Sequence, residues 1–329
     1  MEVKERDPAV RCPVCTAVCQ ATGMSYSPRE AAAHFCPRER DADRHRRLLQ
    51  CINRLWSGRD CSIYECVACG FSFGVPFVGG DEEFYSILHE QHGYPGRRWD
   101  YDRAVHVGIA PKGGGRVLDI GAGTGVFLKS LPATWSLHAV EGSATTRAVL
   151  SDRGICVFES LHEAAADSAG TFDVITMFQV LEHISEFKET LRLCRSLLAP
   201  DGMIVITVPE ATAMRRQEQL TGCADMPPNH ICKWTPQSLA HALRDAGFMP
   251  GEAFFEPRSL RSIRGVLHLH ILGSRANPRS WASKVYRVRN RKLRVGFLAL
   301  LSVPAFIRLF PHLLNLTGRT AFGLPARAN

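Results

Sequence analysis

The sequence predicts an α/β fold on a mostly parallel sheet with an antiparallel last strand, preceded by a small cysteine-rich segment and followed by a basic, then apolar, tail. Three observations carry this expectation. Short apolar runs alternate with helical runs from about 101 to 275, as a parallel sheet with crossover helices requires. The first run ends in a glycine loop, Asp119-Ile120-Gly121-Ala122-Gly123-Thr124-Gly125. Two Cys-x-x-Cys pairs, Cys12/Cys15 and Cys66/Cys69, stand in front of it.

Taken in order, the cysteine-rich front comes first. Eight of the 12 cysteines precede Gly70. The start of the chain is charged and lacks the apolar core of a secretory signal, so the expectation is a cytoplasmic protein whose clustered cysteines bind metal in place of forming disulfides. Cys12, Cys15, Cys66 and Cys69 offer the four thiolates of a tetrahedral structural zinc, although 50 residues separate the pairs. Cys19, His34, Cys36, Cys51 and Cys61 form no second clean pair and read as buried or free thiols. The segment is assigned to 1–78, with a polar arginine-rich insert at Arg38–Arg47. A linker at 79–100 carries Gly79-Gly80 and Tyr94-Pro95-Gly96.

The α/β unit is assigned to 101–276. Arg116–Ile120 is a buried strand, followed by the glycine loop and a helical run at Val126–Leu131. Leu137–Val140 is the second strand and ends at Glu141. Phe172–Met177 and Met203–Val208 are further strands, the latter entered through Pro200-Asp201-Gly202. Ile184, Phe187, Leu191, Cys194 and Leu198 mark one helix face between them. Thr235-Pro236 opens another helix, with a capping hydroxyl and proline at the first position, and Gly247 stops it. Val266–Leu272 is expected as a late strand closing the sheet.

A glycine loop between strand and helix lets the backbone approach a ligand at the carboxyl edge of the sheet. Glu141, twenty residues after Gly121, is placed to hydrogen-bond ribose hydroxyls. The dinucleotide fingerprint would need a third glycine at 126, which is Val126. The order here is Gly-x-Gly-x-Gly preceded by Asp119.

Val117–Gly125 resembles motif I of the class I S-adenosylmethionine-dependent methyltransferases. Val140-Glu141-Gly142-Ser143 resembles their second motif, Phe172–Ile175 through Val180-Leu181-Glu182-His183-Ile184 their fourth-strand motif, and Leu197–Gly202 the leader into strand five. The resemblance covers about 100–275 and implies a Rossmann-like methyltransferase sheet. It implies that Asp119, Gly121, Ala122, Gly123 and Gly125 hold the amino-acid end of S-adenosylmethionine. It further implies that Glu141 holds the ribose, and that Ser160, Leu161 and Phe178 complete the cofactor pocket. Ser160 stands where many relatives carry Asp. Cys66 to Phe73, Cys-x-x-Cys-Gly-Phe-x-Phe, resembles the N-terminal zinc ribbon of a subgroup of these enzymes.

Methyl transfer to a hydroxyl needs orientation and a base. His183, just after the fourth strand, and His230, in Pro227-Pro228-Asn229-His230, are the catalytic candidates. The alternative for His183 is a role in orienting the local turn. Some ubiquinone-pathway O-methyltransferases resemble the first segment with Glu-x-x-Glu-His, a divalent-metal site, but here Gln179 replaces the first Glu.

The tail, assigned to 277–329, holds ten Lys or Arg and no Asp or Glu, and accounts for the formal charge of +8. Its uncharged run, Val295–Ile307, is thirteen residues, too short to span a bilayer, and Pro304 interrupts it. It packs on the core or forms a peripheral membrane contact through 279–316 at the inner face. Mixed charge in the front segment speaks against nucleic acid. The sequence therefore predicts an S-adenosylmethionine-dependent methyltransferase acting on oxygen of a small-molecule, sugar or lipid- or carrier-linked acceptor. Carbon or nitrogen transfer to a small molecule, and a catalytically inactive zinc-ribbon scaffold or membrane-tethered binding protein, are the alternatives.

Overall fold

The computed structural model describes residues 9–90, 96, 98–222, 224–275, 279–288, 290–312 and 320–328. The charged start at 1–8, Tyr94-Pro95, Cys223 and the 313–316 end of the tail contact lie outside them.

The front segment is a compact antiparallel unit. Strands β1 (Cys19–Tyr26), β2 (Cys61–Cys66) and β3 (Ser72–Val75) pair in chain order. The insert between β1 and β2 folds as two helices, Pro28–Phe35 and Ala42–Leu55. Ser27 and Glu30 form a reciprocal capping box on the first, and Asp41 caps the second. Their apolar faces, with Ala31, Leu48, Cys51 and Ile52, close over Trp56 and Phe84. Phe84 lies on a helix, Glu82–His89, inside the stretch expected as linker. Asp81 caps that helix, and burial of Phe84 and Ile87 holds it against Ala42–Leu55.

The main sheet contains β4 (Gly115–Ile120), β5 (Trp135–Val140), β6 (Cys156–Phe158), β7 (Phe172–Phe178) and β8 (Leu198–Pro209), all parallel. A two-residue strand β9 (Cys232–Lys233) leaves this unit and pairs with β3, so the front sheet takes its fourth strand from the α/β unit. Then come β10 (Phe248–Pro250), β11 (Phe254–Phe255) and β12 (Ala321–Ala328). The order is β10-β12-β8-β7-β4-β5-β6, with β12 antiparallel to β8. Continuous burial of Val117–Ile120 and Ile204–Val208 is what a sheet covered on both faces requires.

Two expectations change. Val266–Leu272 is not the closing strand: it lies in a helix, Leu260–Ser274, and the antiparallel strand comes from 321–328. A seven-residue apolar run reads equally as strand or buried helix, and the bonding partner that decides lies fifty residues further on. The helical run after the glycine loop shrinks to a single 3-10 turn, Leu128–Ser130, because Pro132 and the early start of β5 leave no room for more. The capped helix at Thr235 forms as Pro236–Asp245, and Gly247 follows it at φ +84°.

Candidate active site

Every residue expected around the cofactor lies at the carboxyl ends of β4 to β7. Asp119, near the end of β4, is 3 % exposed, and the Thr176 hydroxyl donates to its Oδ1 at 2.7 Å. Burial raises its carboxyl to about 7, a shift that the Thr176 bond only partly opposes. Gly121 sits at φ +70°, and a Cβ there would meet Val180 Cγ2 at 2.6 Å, so the loop passes the fourth strand at a distance only glycine allows. Ala122 is half-buried in the same turn, and Gly125 ends it at φ +75°. The Gly123 amide donates to Glu141 Oε2 and the Ser143 amide to Oε1, each at 3.0 Å, which fixes the Glu141 carboxylate against the glycine loop. Phe178 closes the side of the site, packed on Phe127 and Tyr101 with ring centroids 4.8 Å apart in each case. Ser160 caps the helix Leu161–Ser168 by accepting from the Glu163 amide at 3.2 Å, so its hydroxyl is already engaged. The loop amides, the buried carboxylate and the ribose-side carboxylate fit S-adenosylmethionine in chemistry and in place.

Beside this pocket the structure brings His183 and His230 together, with ring centroids 4.8 Å apart. Nε2 of each ring lies 3.9 Å from Oε1 of Glu182, which is fully buried. Neither oxygen of Glu182 has a hydrogen-bond partner among the described residues. Three polar atoms thus face one gap that is too wide for direct hydrogen bonds and wide enough for one bridging atom. Nδ1 of His183 donates to the Asn229 carbonyl at 2.6 Å, which leaves the Nε2 lone pair toward the gap. Burial, then the charge of His230, pushes His183 well below its ordinary pKa, so its imidazole is neutral. Burial opposes charge on His230 too, but the Asp225 carboxylate 2.6 Å from Nδ1 outweighs it and raises the imidazole above neutrality. Burial pushes Glu182 up, to about 7.

Backbone bonds hold this cluster between the two units. The Ile231 amide donates to Glu182 O at 3.0 Å, the Gly74 amide to Ile231 O at 2.9 Å, and the Gly80 amide to Pro228 O at 2.9 Å. Gly79 presses on the His183 carbonyl so closely that a Cβ would collide with it. Gln179, in place of a metal-binding Glu, takes φ +56° at the end of β7, a costly conformation for a residue with a side chain. Sequence reasoning missed Asp225 and Tyr85. Neither sits in a motif, and only the fold brings them to the histidines.

The four expected zinc ligands also converge. Sγ of Cys12 lies 3.7 Å from Cys69, and Cys15 lies 3.4 Å from Cys66 and 3.6 Å from Cys69. Tetrahedral zinc with bonds of about 2.3 Å sets sulfurs about 3.8 Å apart, so these thiols fit the ion. Cys51 lies near Asp81 and Glu83, but Arg54 pairs with both carboxylates. Cys19, Cys36 and Cys61 are buried single thiols.

Residues 97–250 match a family model described as a methyltransferase domain. The chain is 26 % identical over 173 residues to a ubiquinone biosynthesis O-methyltransferase of Caulobacter vibrioides, covering 50 % of this chain and 62 % of the relative. It is 32 % identical over 136 residues to one of Xanthomonas axonopodis pv. citri, covering 39 % and 55 %. Thus the chain spans about half to three fifths of the length of these curated relatives. Among solved structures, an S-adenosylmethionine-dependent methyltransferase from Archaeoglobus fulgidus is 18 % identical with a TM-score of 0.46, over 74 % of this chain and 99 % of that one. Motif I, the strand order and the domain match agree: residues 97–250 form a methyltransferase domain.

Proposed function

We propose that this protein methylates a hydroxyl oxygen of a small-molecule acceptor in the gap between Glu182, His183 and His230. The observation that carries this reading is the meeting of two Nε2 atoms with a buried, unpartnered carboxylate beside the glycine loop. Bound S-adenosylmethionine supplies a methyl group on a sulfonium, already activated for displacement. His183 Nε2 accepts the acceptor's hydroxyl proton, and the His230–Asp225 pair places positive charge beside the oxygen as it becomes nucleophilic. The surrounding burial keeps water from competing for the methyl group. The names of the curated relatives favour oxygen over nitrogen or carbon as the acceptor atom. The test is transfer of labelled methyl from S-adenosylmethionine to a panel of phenols, catechols and sugars, each free and in phosphorylated form, with product analysis by mass spectrometry and NMR. His183→Ala is expected to lower kcat at least a hundredfold while cofactor affinity stays. Methylation only at carbon or nitrogen would overturn the oxygen assignment.

A second reading is favoured by the same orphaned carboxylate: Glu182, His183 and His230, whose ligand atoms lie within 4.8 Å of one another, hold a divalent cation that polarises the acceptor oxygen. Activity abolished by chelation and restored by magnesium, manganese or zinc selects this reading. Activity unchanged after exhaustive chelation removes it.

The tail supports a membrane-side location. Among the described residues, the Arg291–His312 helical stretch is long and apolar enough to cross a membrane, yet only 11 % of it is buried. Ala305 and Leu309 pack inward, while Val295, Leu300, Val303, Ile307 and Phe310 face out. Arg291, Lys292 and Arg294 lie at one end and Arg308 near the other. An apolar surface flanked by cations matches an anionic bilayer face. The protein is expected to sediment with anionic vesicles and not with zwitterionic ones. A Leu300→Glu/Ile307→Glu variant that still sediments would exclude this helix as the contact.

A further inference from the structure

A cleft of about 1140 Å³ lies between the front helices Pro28–Phe35 and Ala42–Leu55 and the late helices Leu260–Ser274 and Trp281–Tyr286. Six arginines line it, Arg29, Arg38, Arg40, Arg46, Arg275 and Arg287, against three carboxylates, Glu30, Glu39 and Asp43. Arg46 pairs with Asp43. Arg275 donates to the His34 carbonyl at 3.2 Å and lies over the Tyr286 ring, which fixes its guanidinium at the wall. Arg29, Arg38, Arg40 and Arg287 make no ion pair among the described residues. Arg29, Arg38 and Arg40 come from one short stretch of the front segment, and the fold brings Arg287, 247 positions after Arg40, to the same cleft. Converging like charges repel one another, and the arrangement is stabilised when an anion enters. Burial, then Arg275, pushes His34 down to about 4, so this wall histidine stays neutral and the arginines alone supply the cleft's cationic charge near it.

The cleft wall passes one residue from the candidate site. Ala224 and Met226 line it, and the residue between them is Asp225, whose carboxylate touches His230. Asp225 turns its carboxylate away from the cleft to His230, so a ligand held by the arginines would lie against the segment that carries the Asp225–His230 pair. Guanidinium groups match phosphate oxygens in a planar, bidentate fashion, and several around one cavity suit a ligand with more than one negative charge.

We propose that this arginine-lined cleft binds a phosphate- or diphosphate-bearing portion of the methyl acceptor, so that the acceptor is a diphosphate-linked molecule and not a neutral one. This rests on the methyl transfer proposed above, but the binding is testable without it. Two carriers share the chemistry, a nucleotide and a prenyl lipid. The cleft lies beside the exposed apolar helix, which accommodates the second as readily as the first.

The experiment is calorimetry with inorganic diphosphate, then UDP and farnesyl diphosphate, on the full chain with zinc supplied. The protein would be wild type, Arg38→Ala/Arg40→Ala and Asp119→Asn. Saturable binding of diphosphate, weakened at least tenfold in the double arginine variant with S-adenosylmethionine affinity unchanged, is the expected result. Tighter binding of UDP assigns a nucleotide carrier, and tighter binding of farnesyl diphosphate a lipid one. Retained diphosphate binding in Asp119→Asn, with no methyl transfer by the wild type to any diphosphate-linked hydroxyl, would sink the enzymatic reading and leave the anion site standing. Absence of diphosphate binding at millimolar concentration, or binding equal in the double variant, overturns the proposal.

Discussion

The Tyr85 hydroxyl lies 3.0 Å from Nδ1 of His183, although 98 residues separate them and they belong to different units. The ring of Tyr85 meets His183 edge-on, with centroids 5.7 Å apart. The Tyr85 hydroxyl donates to the Asn229 carbonyl at 3.4 Å, the carbonyl that also accepts from His183 Nδ1, so Tyr85 acts as a positioning residue that holds the imidazole with Nε2 toward the gap. Tyr85→Phe keeps the ring and removes the hydroxyl. Loss of one hydrogen bond is worth about 1 kcal/mol, so kcat should fall by roughly five- to tenfold. KM for S-adenosylmethionine should not move, and the acid limb of the kcat profile should shift. A change in KM alone would assign Tyr85 to packing.

Asp119 carries a pH prediction. Its folded carboxyl is raised to about 7 by burial, while the unfolded chain ionises near 4. The folded state therefore loses stability as pH rises from about 4 to about 7, and the loss is complete above that. The cofactor's ammonium group favours the ionised form, so binding below about pH 7 must expel a proton. Affinity for S-adenosylmethionine should weaken as pH falls from 7.5 to 5.5, approaching tenfold per unit at the low end. Calorimetry in buffers of different ionisation enthalpy would detect the released proton. The dependence should vanish in Asp119→Asn, and its persistence there would move the titration to another group.

Stripping a metal held by Cys12, Cys15, Cys66 and Cys69 should damage the candidate active site and not only the front unit. The Thr235 hydroxyl donates to the Cys69 carbonyl at 2.7 Å, and β9 pairs with β3 four residues after the second cysteine knuckle. Both contacts tie the cysteine knuckle to the His230 loop. Cys12→Ser/Cys66→Ser, or chelation strong enough to strip a four-thiolate site, should lower Tm and reduce turnover while S-adenosylmethionine binding through β4 and β5 persists. Equal loss of cofactor binding would show that the two units unfold as one.

The glycine loop and Glu141 were legible because a strand, a tight turn and an acid at fixed spacing are local events. The four cysteines were legible because thiol chemistry has few other uses in such pairs. Glu182 and Asp225 were not, since what distinguishes them is burial and the direction of a carboxylate, neither of which periodicity reports. The closing strand failed for a related reason: Ala321–Ala328 contains Gly323 and Pro325, weak strand formers, and only pairing with Ile204–Val208 makes it one. Gly79 read as linker punctuation, whereas its lack of a side chain is what lets the front unit approach His183.

The seam between the units offers a sharper test. Lys233, on β9, pairs with Glu218 at 2.7 Å, with their side chains 7 % and 9 % exposed, and Glu218 also accepts from the Asp225 amide at 2.6 Å. Lys233→Met leaves a buried carboxylate without its cation and should cost about 3–5 kcal/mol of stability. Lys233→Met/Glu218→Met removes both charges and should recover most of that loss, since an apolar pair of similar length packs in the same space. Turnover should not recover with it, because the double variant still lacks the acceptor that fixes the Asp225 backbone and, through its carboxylate, the charge on His230. Stability measured by denaturant melts, set beside kcat for the wild type and the two variants, separates the two roles. If kcat returns with stability, the ion pair holds only the fold, and the Asp225–His230 geometry is fixed by other contacts.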